Sequence, residues 1–104
     1  MTPKLLMEEP YTRTVVDPTG HAHEITLSGW YWACLDWLHA ETDYTDAEII
    51  RLSWDGAKQM EAEGTMRRPG DLAFEFSESL RLTIWIATWG LINKAQGLSN
   101  DNWG

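Results

Sequence analysis

Apolar and polar residues alternate in the first part of this chain and recur at helical spacing in the rest, with the change of period at Ser28. Tyr11 to Val16 (YTRTVV) is rich in β-branched residues, and Asp17-Pro18-Thr19-Gly20 follows with proline and glycine where a type I turn places them. A hairpin is expected, with HAHEITL from His21 to Leu27 as its second arm. There Ile25 and Leu27 share a face with His21 and His23, and Ala22, Glu24 and Thr26 share the opposite one. The first of these faces is the apolar one, so it is assigned to the core.

Ser28 suits an N-cap for GWYWACLDWLHAE, in which Tyr31, Leu35 and Leu38 form one stripe and Trp30, Cys34 and Trp37 an adjacent one. After the short turn at Asp43-Tyr44, Thr45-Asp46-Ala47-Glu48 has capping-box spacing and starts a second helix. Its inner stripe reads Ile49, Ile50, Ser53, Trp54, Ala57 and Met60, with Ser53, Gly56 and Ala57 small enough for another helix to come close. Glu63 to Asp71 (EGTMRRPGD) is a loop opened by a glycine cap. A third helix follows from Leu72 or Ser77 to Ala95, with Gly97 ending it. Its apolar positions, Leu80, Ile84, Trp85, Ile86, Trp89 and Leu91, point nearly all round, which predicts full burial. The expected fold is mainly α with a short N-terminal β-hairpin. Residues 1–104 are read as a single domain, with loose tails at 1–10 and 98–104.

Composition narrows the function. Sixteen acidic against eight basic residues give a net charge of −8, which favours solubility and repels nucleic acid and anionic lipid. The single cysteine, Cys34, rules out an internal disulfide and reads as a buried thiol in a reducing, cytoplasmic setting. The opening MTPKLLMEEP places Glu8 and Glu9 where a signal peptide would need its apolar run. The longest apolar run, Leu82 to Ile92, is about half of the roughly 20 residues that a membrane-spanning helix needs, so no membrane association is expected.

The candidate chemistry is sparse. His21 and His23 lie on one side of a strand at a spacing open to a metal, but no third ligand accompanies them, and a packing role in the hairpin is the plainer reading. No acid and base couple is specified among the carboxylates, so the chain is read as non-enzymatic, without cofactor or metal. Trp30, Tyr31, Trp32 and Trp37 could stack bases, yet beside leucines at helical spacing they fit a core and dimer interface better. Arg67, Arg68 and Arg81 are open to either phosphate contact or simple solvation.

The run from Arg13 to Trp32 (RTVVDPTGHAHEITLSGWYW), with Thr45 to Ile49 (TDAEI) and Ser79 to Leu82 (SLRL), resembles the ribbon-helix-helix superfamily of the Arc and MetJ type. It is most similar to a bacterial group with an extra leading strand and a trailing helix, over roughly residues 12–86. The resemblance implies a homodimer whose ribbon enters the major groove while the start of the second helix holds a phosphate. Carried onto this chain, Ala22, Glu24 and Thr26 would read bases, with His23 at the groove. Arg13, Thr45, Arg51, Arg67 and Arg68 would contact phosphate, and Ile25, Leu27, Trp32, Ile50, Trp54, Trp85 and Trp89 would form the core and dimer contact.

Two departures matter. Ala22 stands where that group usually carries a basic residue, and Glu24 can accept only from a cytosine amine. Asp46 and Glu48 place carboxylates at the dipole end that a phosphate would use. Two function classes follow. One is a dimeric DNA-binding transcriptional regulator. The other is an acidic protein-binding module or inhibitor, of phage or antitoxin type, that mimics nucleic acid and has lost DNA binding.

Overall fold

The computed structural model describes residues 9–95. The chain runs β1 (Pro10–Val16), β2 (Ala22–Ser28), α1 (Gly29–Glu41), α2 (Asp46–Glu63) and α3 (Leu72–Ala95), so it is mainly helical with an N-terminal antiparallel hairpin. The expected glycine cap at Gly97, the tail at 98–104 and residues 1–8 of the leading tail lie outside the described residues.

The hairpin register pairs Tyr11 with Leu27, Arg13 with Ile25 and Val15 with His23. At the turn Gly20 N–H donates to Asp17 O and Asp17 N–H to His21 O, both at 2.9 Å, with Gly20 at φ 95°, where a Cβ would be strained. At the far end Gly29 N–H donates to Glu9 O at 2.7 Å. Since hydrogen-bonded and non-bonded pairs alternate, the backbone groups of Ala22, Glu24 and Thr26 face away from β1. Pro10 pairs opposite Ser28 in the same non-bonded phase, so its missing N–H costs no ladder bond. The strand therefore reaches one residue into the segment assigned above to a tail.

Ser28 caps α1, its hydroxyl accepting from Trp30 N–H at 3.3 Å. Thr45 and Glu48 form the capping box of α2, which ends on Gly64 in the left-handed region. The core gathers Val15, Ile25, Leu27, Trp32, Leu35, Ile49, Ala57, Phe76, Leu80 and Ile84 from every element. Phe76 lies at its centre, edge-on to Trp54 at 5.2 Å and to His23 at 5.1 Å. At the α2–α3 contact a Cβ on Gly56 would meet Ser79 Oγ at 2.9 Å, so the small residue there lets the two helices come close.

The expectation that α3 is buried all round is not met. Phe76, Leu80, Ile84 and Thr88 are buried, but Leu82, Trp85, Ile86 and Trp89 are 46%, 40%, 61% and 50% exposed. At about 100° per residue the two sets fall on opposite sides of the helix. α1 and α2 cover the first set and leave the second open. Trp85 and Trp89, assigned above to core and dimer contact, are thus surface residues of the single chain and no part of its core, and Ile50 and Trp54 are half-buried. No described helix is long and apolar enough to cross a membrane.

Candidate functional site

The ribbon has two unlike faces. Val15, His23, Ile25 and Leu27 turn toward the helices, and the outer face carries Thr12, Thr14, Val16, Ala22, Glu24 and Thr26, all exposed. Thr12 and Thr26 hydroxyls meet at 2.6 Å, and Thr14 donates to the Glu24 carboxylate at 2.6 Å. Ala22, Glu24 and Thr26 thus stand together on one exposed surface, as the alternation of the strand requires. Among these six residues Glu24 carries the one charge, and the cation that lines the groove beside Glu24 and Thr26 is Arg81 of α3, held by Glu78 at 3.0 Å.

His23 is not on that surface, which corrects its placement at a groove. Its side chain is 17% exposed, and Nε2 lies 2.6 Å from the buried Asp17 carboxylate. Asp17 also accepts from Thr19 N–H at 2.7 Å, Thr19 Oγ1 at 2.5 Å and His21 N–H at 3.3 Å. Burial pushes its carboxyl upward, but the hydrogen bonds from Thr19, His23 and the two backbone amides outweigh this. The carboxyl is held well below its ordinary range. This knot locks the turn to the core, a role for Asp17 beyond that of the first turn residue expected from the sequence. The available signal was an aspartate at the first turn position with a threonine two residues on and a histidine on the inner face of the next strand. His21 is exposed, with Nδ1 at 2.9 Å from Thr19 Oγ1. Among the described residues no three metal-ligating side chains lie together.

The residues assigned to phosphate are mostly engaged within the chain. Arg13 lies on the helix side of the ribbon, where its two terminal nitrogens donate to both Asp36 oxygens at 3.0 Å and its guanidinium sits 5.1 Å from the Trp32 ring. The bidentate bond to Asp36 holds Arg13 above and Asp36 below the ordinary values. Arg67 binds the fully buried Glu75 through its backbone N–H at 2.5 Å and its guanidinium at 3.1 Å, pinning the α2–α3 loop to α3. Arg68 covers the Phe74 ring at 3.9 Å. Arg51, 77% exposed, lies 4.0 Å from Asp55. Thr45 Oγ1 accepts from Glu48 N–H at 3.1 Å, and the Glu48 carboxylate accepts from Thr45 N–H at 3.2 Å, so residues of α2 already take up donors at its start. Arg13, Thr45 and Arg67 are therefore not free to meet a phosphate without breaking internal contacts.

Comparison of the chain with protein-family models, with curated proteins and with solved structures finds no match in any of the three.

Of the residues assigned to core and dimer contact, Ile25, Leu27 and Trp32 are buried, and the Trp32 indole N–H donates to Tyr11 O at 2.8 Å. Cys34 is a buried free thiol whose pKa is pushed up by burial, against a smaller opposing effect of Thr88. It lines an apolar cleft of about 290 Å³ between α1 and α3, with Trp30, Trp37, Thr88 and Ile92. That cleft opens beside the uncovered aromatic face of α3, a feature that periodicity alone did not show.

Proposed function

We propose that this chain is a non-enzymatic, protein-binding module on a ribbon-helix-helix-like scaffold. The observation that carries the reading is the outer face of the ribbon, where Glu24 is the charged residue among Thr12, Thr14, Val16, Ala22 and Thr26. Phosphate binding draws on Lys and Arg to displace counterions. Here Arg13 and Arg67 are held by Asp36 and Glu75, and the whole chain carries −8. A surface of hydroxyls and carboxylate suits a partner that brings its own cations.

The test compares wild type with Ala22→Arg/Glu24→Ser on double-stranded DNA over a range of salt. Wild type is expected to retain no DNA at physiological salt. The double variant should bind with a negative slope of log affinity against log salt, about 0.9 per phosphate neutralised. A wild-type chain that holds a specific DNA fragment at physiological salt, and loses it on Thr26→Ala, would overturn the reading.

That outcome would establish the second reading, a homodimeric DNA-binding transcriptional regulator of ribbon-helix-helix type. One observation favours it. The backbone groups of Ala22, Glu24 and Thr26 face away from β1, and a strand edge of this kind can accept the strand of a second chain.

A further inference from the structure

We infer that the outward face of α3 is a self-association seam that takes a second copy of this chain. Leu82, Trp85, Ile86 and Trp89 follow one another at the three- and four-residue spacing of a helix–helix contact, and each is at least 40% exposed. α3 thus carries two apolar faces, of which the fold of one chain covers one.

The face is preorganised. Trp30 packs on Trp85 at 5.6 Å, and Trp85 stacks on Trp89 at 5.7 Å with 17° between the rings. Rings already held in place lose little side-chain entropy when a partner covers them. Trp37, 40% exposed, extends the patch across the cleft that it shares with Thr88 and Ile92.

Charge selects the occupant. The chain carries sixteen acidic residues, yet Leu82 to Asn93 (LTIWIATWGLIN) contains no charged side chain. Two copies can therefore meet along this stretch without bringing carboxylates face to face, although their net charges of −8 repel elsewhere. An anionic bilayer would meet the same acidic body, and of the two basic residues that flank the stretch, Arg81 is paired with Glu78, which leaves Lys94 as a weak attraction.

Area agrees. Taking a whole tryptophan as about 250 Å², the exposed parts of Trp37, Trp85 and Trp89 amount to roughly 300 Å². Leu82 and Ile86 bring the patch to about 400–500 Å², the upper part of the range for the largest patch on a monomer. Doubled across a two-fold axis, this approaches the ~1,000 Å² that a specific interface needs.

Sedimentation equilibrium of the full chain at micromolar concentration is the test, with Ile86→Arg and Leu82→Arg on the seam and Thr26→Pro on the β2 edge. Both seam positions are well exposed in the single chain, and Thr26 N–H faces away from β1, so far-UV circular dichroism should match wild type in all three. Wild type is expected near twice the 11.9 kDa chain mass. Each seam variant should weaken association at least ~30-fold, the scale of a hot-spot residue, and Thr26→Pro should leave it unchanged. A monomeric wild type would overturn the inference. So would a dimer that survives both seam variants, one lost on Thr26→Pro, or a monomer whose tryptophan emission shifts blue on phosphatidylcholine–phosphatidylglycerol vesicles. These results are independent of whether the ribbon binds DNA, so this inference and the functional proposal can fail separately.

Discussion

Phe76→Ala should be among the most damaging single substitutions in this chain. Phe76 is fully buried where α2, α3 and the ribbon meet, edge-on to Trp54 and to His23. A buried phenylalanine removes at least ~150 Å² of apolar surface from water, about 4 kcal/mol at 25 cal/mol per Å². Truncation to alanine leaves a cavity walled by rings that cannot collapse far, and such changes cost ~3–5 kcal/mol. Against a total stability of roughly 5–15 kcal/mol this is a large share. At ~4–8 °C per kcal/mol for a domain near this size, the melting temperature should fall by about 15–30 °C. Urea titrations of wild type, Phe76→Ala and the control Leu52→Ala, at one protein concentration, measure it. Leu52 is 55% exposed and its truncation should stay within ~0.5 kcal/mol. A Phe76→Ala loss under ~1 kcal/mol, or one equal to that of the control, would refute the placement of Phe76 at the junction of the three elements.

Acid should weaken the fold through Asp17. Its carboxyl is held below the ordinary range in the folded chain, so its contribution is complete above the unfolded value near ~3.9 and is lost as pH falls through that value toward the folded one. The urea midpoint of wild type should therefore drop across that acid window more steeply than that of Asp17→Asn, and parallel curves would exclude the effect. Gly56→Leu should cost ~1–3 kcal/mol, because the added side chain meets Ser79 Oγ between α2 and α3. A melting temperature equal to wild type would show that the helices can separate freely there. Thr45→Ala should lose ~1 kcal/mol by removing the hydroxyl that accepts from Glu48 N–H. In that variant, hydrogen exchange should quicken in the first turn of α2 and stay unchanged in α3.

Local chemistry was legible in the sequence where neighbours along the chain settle it. The Asp17-Pro18-Thr19-Gly20 turn, the Ser28 cap, the Thr45–Glu48 box and the Gly64 stop each depend on residues within one turn of one another, and each stands in the structure. So does the two-residue period that turns Ile25 and Leu27 inward and Ala22, Glu24 and Thr26 outward. Tertiary structure decided what such rules cannot reach. Arg13 looks like a free cation in sequence, but it meets Asp36, 23 positions away, only because α1 packs beneath β1. The alternation of β2 already puts His23 on the inner face with Ile25 and Leu27, and tertiary structure adds what encloses its ring there, Asp17 of the turn and the Phe76–Trp54 pair of α3 and α2. The apolar run of α3 shows that burial is wanted on all sides, yet it does not say what supplies it. Two neighbouring helices can cover only part of a cylinder, and so Leu82, Trp85, Ile86 and Trp89 remain outside the core of the single chain.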